Sequence, residues 1–471
     1  MTSRRAFLRD TAWGLTGAAT TAAVTAAVTP SLLHALAATR VQPARPRPSA
    51  SQLAWQQDEL ALFLHFGVNT FTDREWGDGT ESPTLFTPSR LDTRQWARAA
   101  KAAGAKAMIL TAKHHDGFCL WPTETTQHSV RSSLWKRGQG DVVREFVDAC
   151  RAEKLKVGLY CSPWDRNHRA YGDSPRYNDI YMTQLTELLT KYGEIHEVWF
   201  DGANGEGPNG KRQVYDWPRT WALVRKLQPK AVMFSDAGPD VRWIGNERGV
   251  AGETNWSTIR PESVPYIGAS GDDVIKALQE GHADGSVWRP GETDVSIRPG
   301  WFYHPTEDAK VKTAQQLVDL YFTSVGRNSK LLLNVPPTRD GLLHETDVAN
   351  LRGMRAELDA MQTRGVRTKP TWQVDGPTVA RLNVDLEFPN SISVIELAED
   401  IREGQRVTKW ELFASDQPSN TAGMMAMTKL ASGSTIGYKQ LRKIPVARAS
   451  FLMLRIETQE PPLPVTLRCY R

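Results

Sequence analysis

Residues able to do chemistry gather at the ends of short apolar runs. Glu197-Val198-Trp199-Phe200 reads as a buried strand, and Asp201 and Gly202 follow it at once. A carboxylate therefore stands at a strand end beside a residue that lets a ligand approach closely. In parallel sheets and α/β barrels, the C-terminal ends of strands are where ligands bind. Earlier runs end in a similar way. Phe63-Leu64-His65-Phe66-Gly67 carries His65, and Thr111-Ala112-Lys113-His114-His115-Asp116-Gly117 carries His114 and His115. Gly158-Leu159-Tyr160-Cys161-Ser162-Pro163-Trp164 adds Tyr160 and Trp164. Neighbouring side chains of an extended chain point to opposite sides, so only one of His114 and His115 needs to face a pocket unless the backbone bends. Imidazoles, a phenol and indoles around one carboxylate suit a polyhydroxylated ligand, which offers hydroxyls to bond and an apolar face to stack. A metal-dependent hydrolase is the competing chemistry, with His65, His114, His115 and Asp201 as ligands at the strand ends. No His-x-His or His-Glu-x-x-His spacing accompanies them.

Sugar hydrolysis needs two carboxyl groups. Asp201 supplies one, and three later glutamates compete for the other: Glu247, Glu253 and Glu292. Glu247 directly follows the strand-like Val241–Ile244, as a rim residue should, and Glu292 is the second choice. A nucleophile must be ionised, whereas an acid must hold its proton and so needs apolar surroundings, which Trp243 and Trp256 could provide. A non-catalytic carbohydrate-binding protein on the same scaffold would keep the aromatics and histidines but lack a carboxylate. The presence of both Asp201 and Glu247 argues against it.

The elements that must position these residues alternate. Strand candidates are Leu60–Val68, Ala107–Thr111, Lys156–Tyr160, Glu197–Phe200, Ala231–Ser235, Val241–Ile244, Trp301–Tyr303 and Leu331–Val335. Between them Arg94–Ala103, Asp141–Lys154, Asp179–Lys191, Trp217–Leu227 and Glu307–Val325 show helical spacing, and Glu345–Gln362 adds a helix at the end. Eight such units predict a (β/α)8-like barrel over residues 53–365. Thr254 to Ile297, rich in Gly and Asp, reads as loop insertions over the barrel mouth. After Lys369-Pro370 the runs become short and alternating. Thr378–Phe388, Ile392–Leu397, Gln405–Ala414, Lys439–Val446 and Ser450–Glu457 predict a β-sandwich over residues 371–471.

Residues 1–37 read as an export signal. Ser3-Arg4-Arg5-Ala6-Phe7-Leu8 is a twin-arginine motif, and a weakly apolar run leads to Ala35-Leu36-Ala37. The expected destination is the periplasm or the exterior, with residues 38–52 as a linker. Removing Arg4, Arg5, Arg9 and Asp10 lowers the formal charge from +5 by 2, to +3. Nucleic acid and membrane surfaces thereby lose their electrostatic argument as partners. Cys119, Cys150, Cys161 and Cys469 have no metal-binding or Cys-x-x-Cys spacing and read as buried thiols.

Five blocks in order resemble the α-L-fucosidases of glycoside hydrolase family 29. They are Phe63-Leu64-His65-Phe66-Gly67, Glu75-Trp76, Lys113-His114-His115-Asp116-Gly117-Phe118, Trp199-Phe200-Asp201-Gly202 and Leu332-Leu333-Asn334-Val335. The resemblance implies a barrel followed by a β-sandwich, retention of anomeric configuration, a fucosylated glycan as substrate, and no metal or other cofactor. It puts Asp201 on the nucleophile, and His65, Glu75, Trp76, His114, His115, Tyr160 and Trp199 on or beside fucose-binding positions. Val241–Glu247 and Asp294–Phe302 look closest to the branch, plant enzymes included, that prefers α-1,3/1,4-linked fucose. That likeness selects Glu247 as acid/base ahead of Glu292. The third rim departs from the pattern, reading Leu-Tyr-Cys-Ser where many members carry a second tyrosine.

Overall fold

Every residue of Leu60–Leu64 (β1) is buried, yet alternate side chains enter different cores. Ala61 and Phe63 point into an interior shared with Ile109, Tyr160, Trp199, Phe234 and Leu332. Leu60, Leu62 and Leu64 point the other way, onto a layer holding Trp96, Phe146 and Leu351. Burial on both faces is what a parallel strand covered by helices requires. The computed structural model, which describes residues 45–417 and 426–471, closes eight such strands into a ring. The others are Ala107–Lys113 (β2), Lys156–Cys161 (β3), Glu197–Trp199 (β4), Val232–Phe234 (β5), Arg242–Trp243 (β6), Gly291–Ser296 (β7) and Ser329–Asn334 (β8). Their order is β5-β4-β3-β2-β1-β8-β7-β6, all parallel, and a bridge between Phe234 and Val241 joins the two ends. No helix separates β5 from β6, so the ring is (β/α)8-like rather than regular.

Helix starts follow local chemistry. Asp92, Asp141 and Asp216 each accept a backbone N–H three residues on and begin Thr93–Ala102, Val142–Ala152 and Trp217–Leu227. Ser49 and Gln52 form a capping box that starts Ala50–Gln56, a helix beginning within the expected linker and running past its end at residue 52. This helix puts Trp55 into the ring interior, where the buried Lys330 ammonium lies 4.5 Å from its ring centroid. The expected export signal, residues 1–37, lies outside the described residues, as does the linker up to residue 44.

One expected strand is a correction. Trp301–Tyr303 is no strand, and the seventh position belongs to Gly291–Ser296. The aromatic run looks β-like, but the Trp301 and Phe302 amides go to the Glu75 carboxylate instead of a neighbouring strand. The real strand is masked in the sequence because Glu292, Asp294 and Ser296, at alternate positions, are polar. The expected long helix Glu307–Val325 also divides: a 3₁₀ turn covers Pro305–Lys310, and Thr313 caps a separate helix over Ala314–Thr323.

The C-terminal unit is a six-stranded antiparallel sheet of Thr368–Gly376 (β9), Val379–Glu399 (β10), Val407–Ser415 (β11), Thr428–Gly433 (β12), Gln440–Thr458 (β13) and Val465–Tyr470 (β14). Two pairs of expected short strands are single long ones, β10 and β13, interrupted by register shifts between Asp385 and Asn390 and between Ile392 and Val394. The shifts let both halves serve one core, which joins Leu382 and Leu454 to Ile395 and Leu467. The unit docks near the N-terminal end of β8, through Asn328 N–H to the Lys439 carbonyl and Leu441 N–H to the Gly326 carbonyl. The chemistry lies at the opposite end of that strand.

Candidate active site

At the C-terminal ends of the barrel strands is a cavity of about 260 Å³. Its lining includes His65, Trp76, His114, His115, Trp199, Asp201 and Glu247. Asp201 follows β4, and its two oxygens are held from different sides. The Ala203 amide donates to Oδ1 at 2.7 Å, and the Tyr160 hydroxyl donates to Oδ2 at 3.0 Å. Burial first, and the Asp201 charge second, push the Tyr160 phenol well above its ordinary pKa, so it remains a donor. His115 Nε2 lies 3.6 Å from Asp201 Oδ2, too far for a good hydrogen bond. A Cβ on Gly202 would run into the Asp236 carboxylate, so a larger residue here forces that side chain to shift.

Both adjacent histidines face the cavity. A register shift between Thr111 and Lys113 bends the end of β2. Lys113 is anchored on Asp165 (3.2 Å), Tyr177 (3.0 Å) and Gln184 (2.9 Å). The chain then turns through Gly117 at φ +83°, a position where a Cβ would collide with Asp165. His115 Nδ1 pairs with Ser162 Oγ at 2.8 Å, and His65 Nδ1 with Asn334 Oδ1 at 2.8 Å. His114 Nδ1 is buried with no partner among the described residues. Burial lowers the pKa of all three rings, that of His65 to about 3. They are neutral imidazoles near pH 7, suited to exchanging hydrogen bonds with hydroxyls.

Glu247 comes from the loop after β6, where Gly245 has φ +82° and Asn246 bonds Val250 O and Arg248 N. It is exposed at the cavity mouth, with the Trp301 indole as its hydrogen-bond partner. Partial burial against the wall raises its pKa, and the charges of Asp201 and Glu75 add to the rise. The two carboxyls thus differ in surroundings, Asp201 anchored by two donors and Glu247 with its pKa raised by partial burial. Trp301 is the aromatic that bonds Glu247. Trp243 donates instead to Asp294 Oδ1 at 2.8 Å.

Three glutamates considered for the site stand elsewhere. Glu292 is fully buried on β7 below the cavity, with Trp199 Nε1 donating to Oε1 at 2.9 Å and the Lys330 ammonium 3.4 Å from Oε2. Glu253 pairs at the surface with Arg327 and Arg442. Glu75 does not line the cavity. Its carboxylate holds the Trp301 and Phe302 amides and His304, and so fixes the Trp301 wall. Sequence reasoning missed Asp294, Trp301 and Phe63 as lining residues. The alternation Glu292, Asp294, Ser296 was the available signal. Among the described residues, no group of three or more His, Cys, Asp or Glu side chains is arranged to hold a metal ion. Among the described residues, none of the C-terminal sheet lines the cavity.

Residues 37–360 match the family model described as alpha-L-fucosidase. The chain is 43% identical over 448 residues to Alpha-L-fucosidase 1 of Arabidopsis thaliana, covering 88% of this chain and 85% of that one. Among solved structures it resembles a glycoside hydrolase 29 family member from a rumen bacterium at 42% identity and a TM-score of 0.81, covering 91% of this chain and 78% of that one. A Ruminococcus gnavus GH29 fucosidase in complex with fucose matches at 29% identity and a TM-score of 0.81, over 91% of this chain and 96% of that one.

Proposed function

The chain belongs to the alpha-L-fucosidase family and is a glycoside hydrolase; from that premise we propose an exported, retaining exo-α-L-fucosidase that removes terminal α-linked L-fucose, 1,3- or 1,4-linked. The observation that carries this reading is the pairing of an anchored Asp201 with the raised Glu247 across one small cavity. About 260 Å³ lies below the usual range of roughly 300–1,000 Å³ for drug-sized ligands and suits one pyranose ring.

The reaction follows from these groups. A carboxylate oxygen of Asp201 attacks the anomeric carbon as Glu247 gives its proton to the departing glycosidic oxygen. Water then displaces Asp201 from that carbon and returns a proton to Glu247. The two inversions leave the configuration retained. The neutral imidazoles of His65, His114 and His115 bind the hydroxyls, and Phe63, Trp199 and Trp301 accept the apolar face and the methyl group. The linkage preference rests on the likeness of Val241–Glu247 and Asp294–Phe302 to the α-1,3/1,4 branch. Export rests on the twin-arginine motif. Four buried, unpaired thiols fit a protein folded in a reducing cytoplasm before transport.

The test compares wild type, Asp201→Ala and Glu247→Ala on 4-nitrophenyl α-L-fucoside and on a Lewis-type trisaccharide. Asp201→Ala should lose several orders of magnitude on both. Glu247→Ala should harm the sugar leaving group far more than nitrophenolate, with azide trapping fucosyl azide. Activity surviving Asp201→Ala would overturn the nucleophile. An α-configured first product, read by NMR, supports retention, and a β product refutes it. If the export reading holds, Arg4→Lys with Arg5→Lys leaves the activity in the cytoplasm.

A further inference from the structure

The cavity holds a third carboxyl, Asp294, that the two-carboxylate mechanism does not use. Glu292, Asp294 and Ser296 alternate along β7, so all three share its inward face. Glu292 lies below on Lys330, and Ser296 bonds the Gly300 carbonyl at 2.7 Å. Asp294 alone of the three lines the cavity, and it is only 4% exposed. Among the described residues its one side-chain donor is Trp243 Nε1, to Oδ1, and no cation pairs with it. On the neighbouring strand β8 the residue in register is the apolar Leu332. The other ionisable groups lining the cavity are Glu247 from the loop beyond β6, Asp201 beyond the end of β4, His65 after β1, and His114 and His115 after β2, of which the two carboxylates act on Asp294.

A buried carboxyl with one neutral side-chain donor and two carboxylates for company cannot hold a charge cheaply. Burial, and then the Glu247 charge, push its pKa well above the ordinary range. We propose that Asp294 is a positioning residue for the acid/base, donating from Oδ2 to the Glu247 carboxylate once Glu247 has protonated the leaving oxygen. The proposal rests on the role given to Glu247 above. No extra proton moves. Glu247 loses one as the glycosidic bond breaks and regains one from water, and Asp294 only shares a hydrogen bond.

The experiment measures kcat/KM against pH for wild type, Asp294→Asn and Asp294→Leu on the nitrophenyl fucoside and the trisaccharide. A hydrogen bond to a charged group contributes about 1.5–3 kcal/mol, so Asp294→Leu should lose roughly tenfold to a hundredfold on the trisaccharide and less on nitrophenolate. A donor to a carboxylate favours the charged form, so its loss lets Glu247 hold its proton longer and moves the alkaline limb to higher pH. Asp294→Asn keeps an N–H donor and should restore most of the rate and the original limb. An Asp294→Leu with wild-type leaving-group dependence and limb overturns the proposal. So does an Asp294→Asn as impaired as Asp294→Leu, since that result demands a mobile proton. If Asp294→Leu does not fold, a loss beyond about tenfold in folded Asp294→Asn refutes it alone. L-Fucose titration by calorimetry separates the levels. A wild type that neither binds L-fucose nor cleaves either substrate fails the functional reading, whereas an active wild type with indifferent Asp294 variants fails only this inference.

Discussion

Replacing Lys330 with methionine tests whether the charged floor of the barrel supports the fold under the site. Lys330 is buried at 1% exposure, with its ammonium 2.6 Å from Glu197 Oε2 and 3.4 Å from Glu292 Oε2. Burial alone would lower its pKa, but Glu197, Glu292 and Asp58 outweigh it and hold the amine above its ordinary value. Removing the cation leaves two carboxyls facing each other in a dry interior, and breaking a buried pair in this way costs about 3–5 kcal/mol. The lost contact with Trp55 adds up to about 2 kcal/mol. Methionine refills the space of the lysine stem and Glu292 can stay protonated, so the low end, about 3 kcal/mol, is expected. The deficit should depend on pH. Burial, then Glu197, raise the Glu292 pKa well above the unfolded value of about 4.3. Such a group contributes stability that is complete below the unfolded pKa and is lost as pH rises through the folded one. Loss of the ammonium raises Glu292 further, so the gap between wild type and variant should widen as pH rises from about 5 to about 8. Urea unfolding followed by tryptophan fluorescence measures it. A deficit below about 1 kcal/mol at both pH values, or one that narrows as pH rises, would refute the reasoning. A Lys330→Met/Glu197→Gln/Glu292→Gln chain no more stable than the single variant would do the same.

Other outcomes follow from the rim. Tyr160→Phe removes the 3.0 Å donor to Asp201 and should lower kcat/KM roughly tenfold to a hundredfold, and unchanged kinetics would mean the anchor is idle. Gly202→Ala drives a Cβ into Asp236 and should displace the adjacent Asp201, for a loss on the order of a hundredfold in kcat; a fully active variant would contradict the packing described. Trp76 lines the mouth at 54% exposure, so Trp76→Ala should raise KM severalfold while leaving stability within about 0.5 kcal/mol, and a large fall in the unfolding midpoint would place it in the core instead.

Local chemistry was legible wherever a residue acts on its immediate neighbours. Asp92, Asp141 and Asp216 announce helices because a cap bonds the backbone three residues away. Asp201 announces a site because a carboxylate and a glycine end a buried strand. The ordered histidine and tryptophan blocks identify the family by themselves. What the sequence left open depends on partners far along the chain. Trp301–Tyr303 has strand-forming residues, but Glu75, more than two hundred positions away, captures its amides. Gly291–Ser296 lacks an apolar pattern because its inward face supplies polar groups to the floor and wall of the ring. Position after a strand-like run ranked Glu247 ahead of Glu292 in the sequence, but where each carboxyl sits depends on ring closure. It sets one at the mouth beside Trp301 and the other beneath Trp199 on Lys330. The two adjacent histidines share a cavity just past a register shift between Thr111 and Lys113 that interrupts the alternation of β2, with Lys113 buried on Asp165. Residue type determined which chemistry was available, whereas register and closure, which are properties of the whole ring, determined which groups meet.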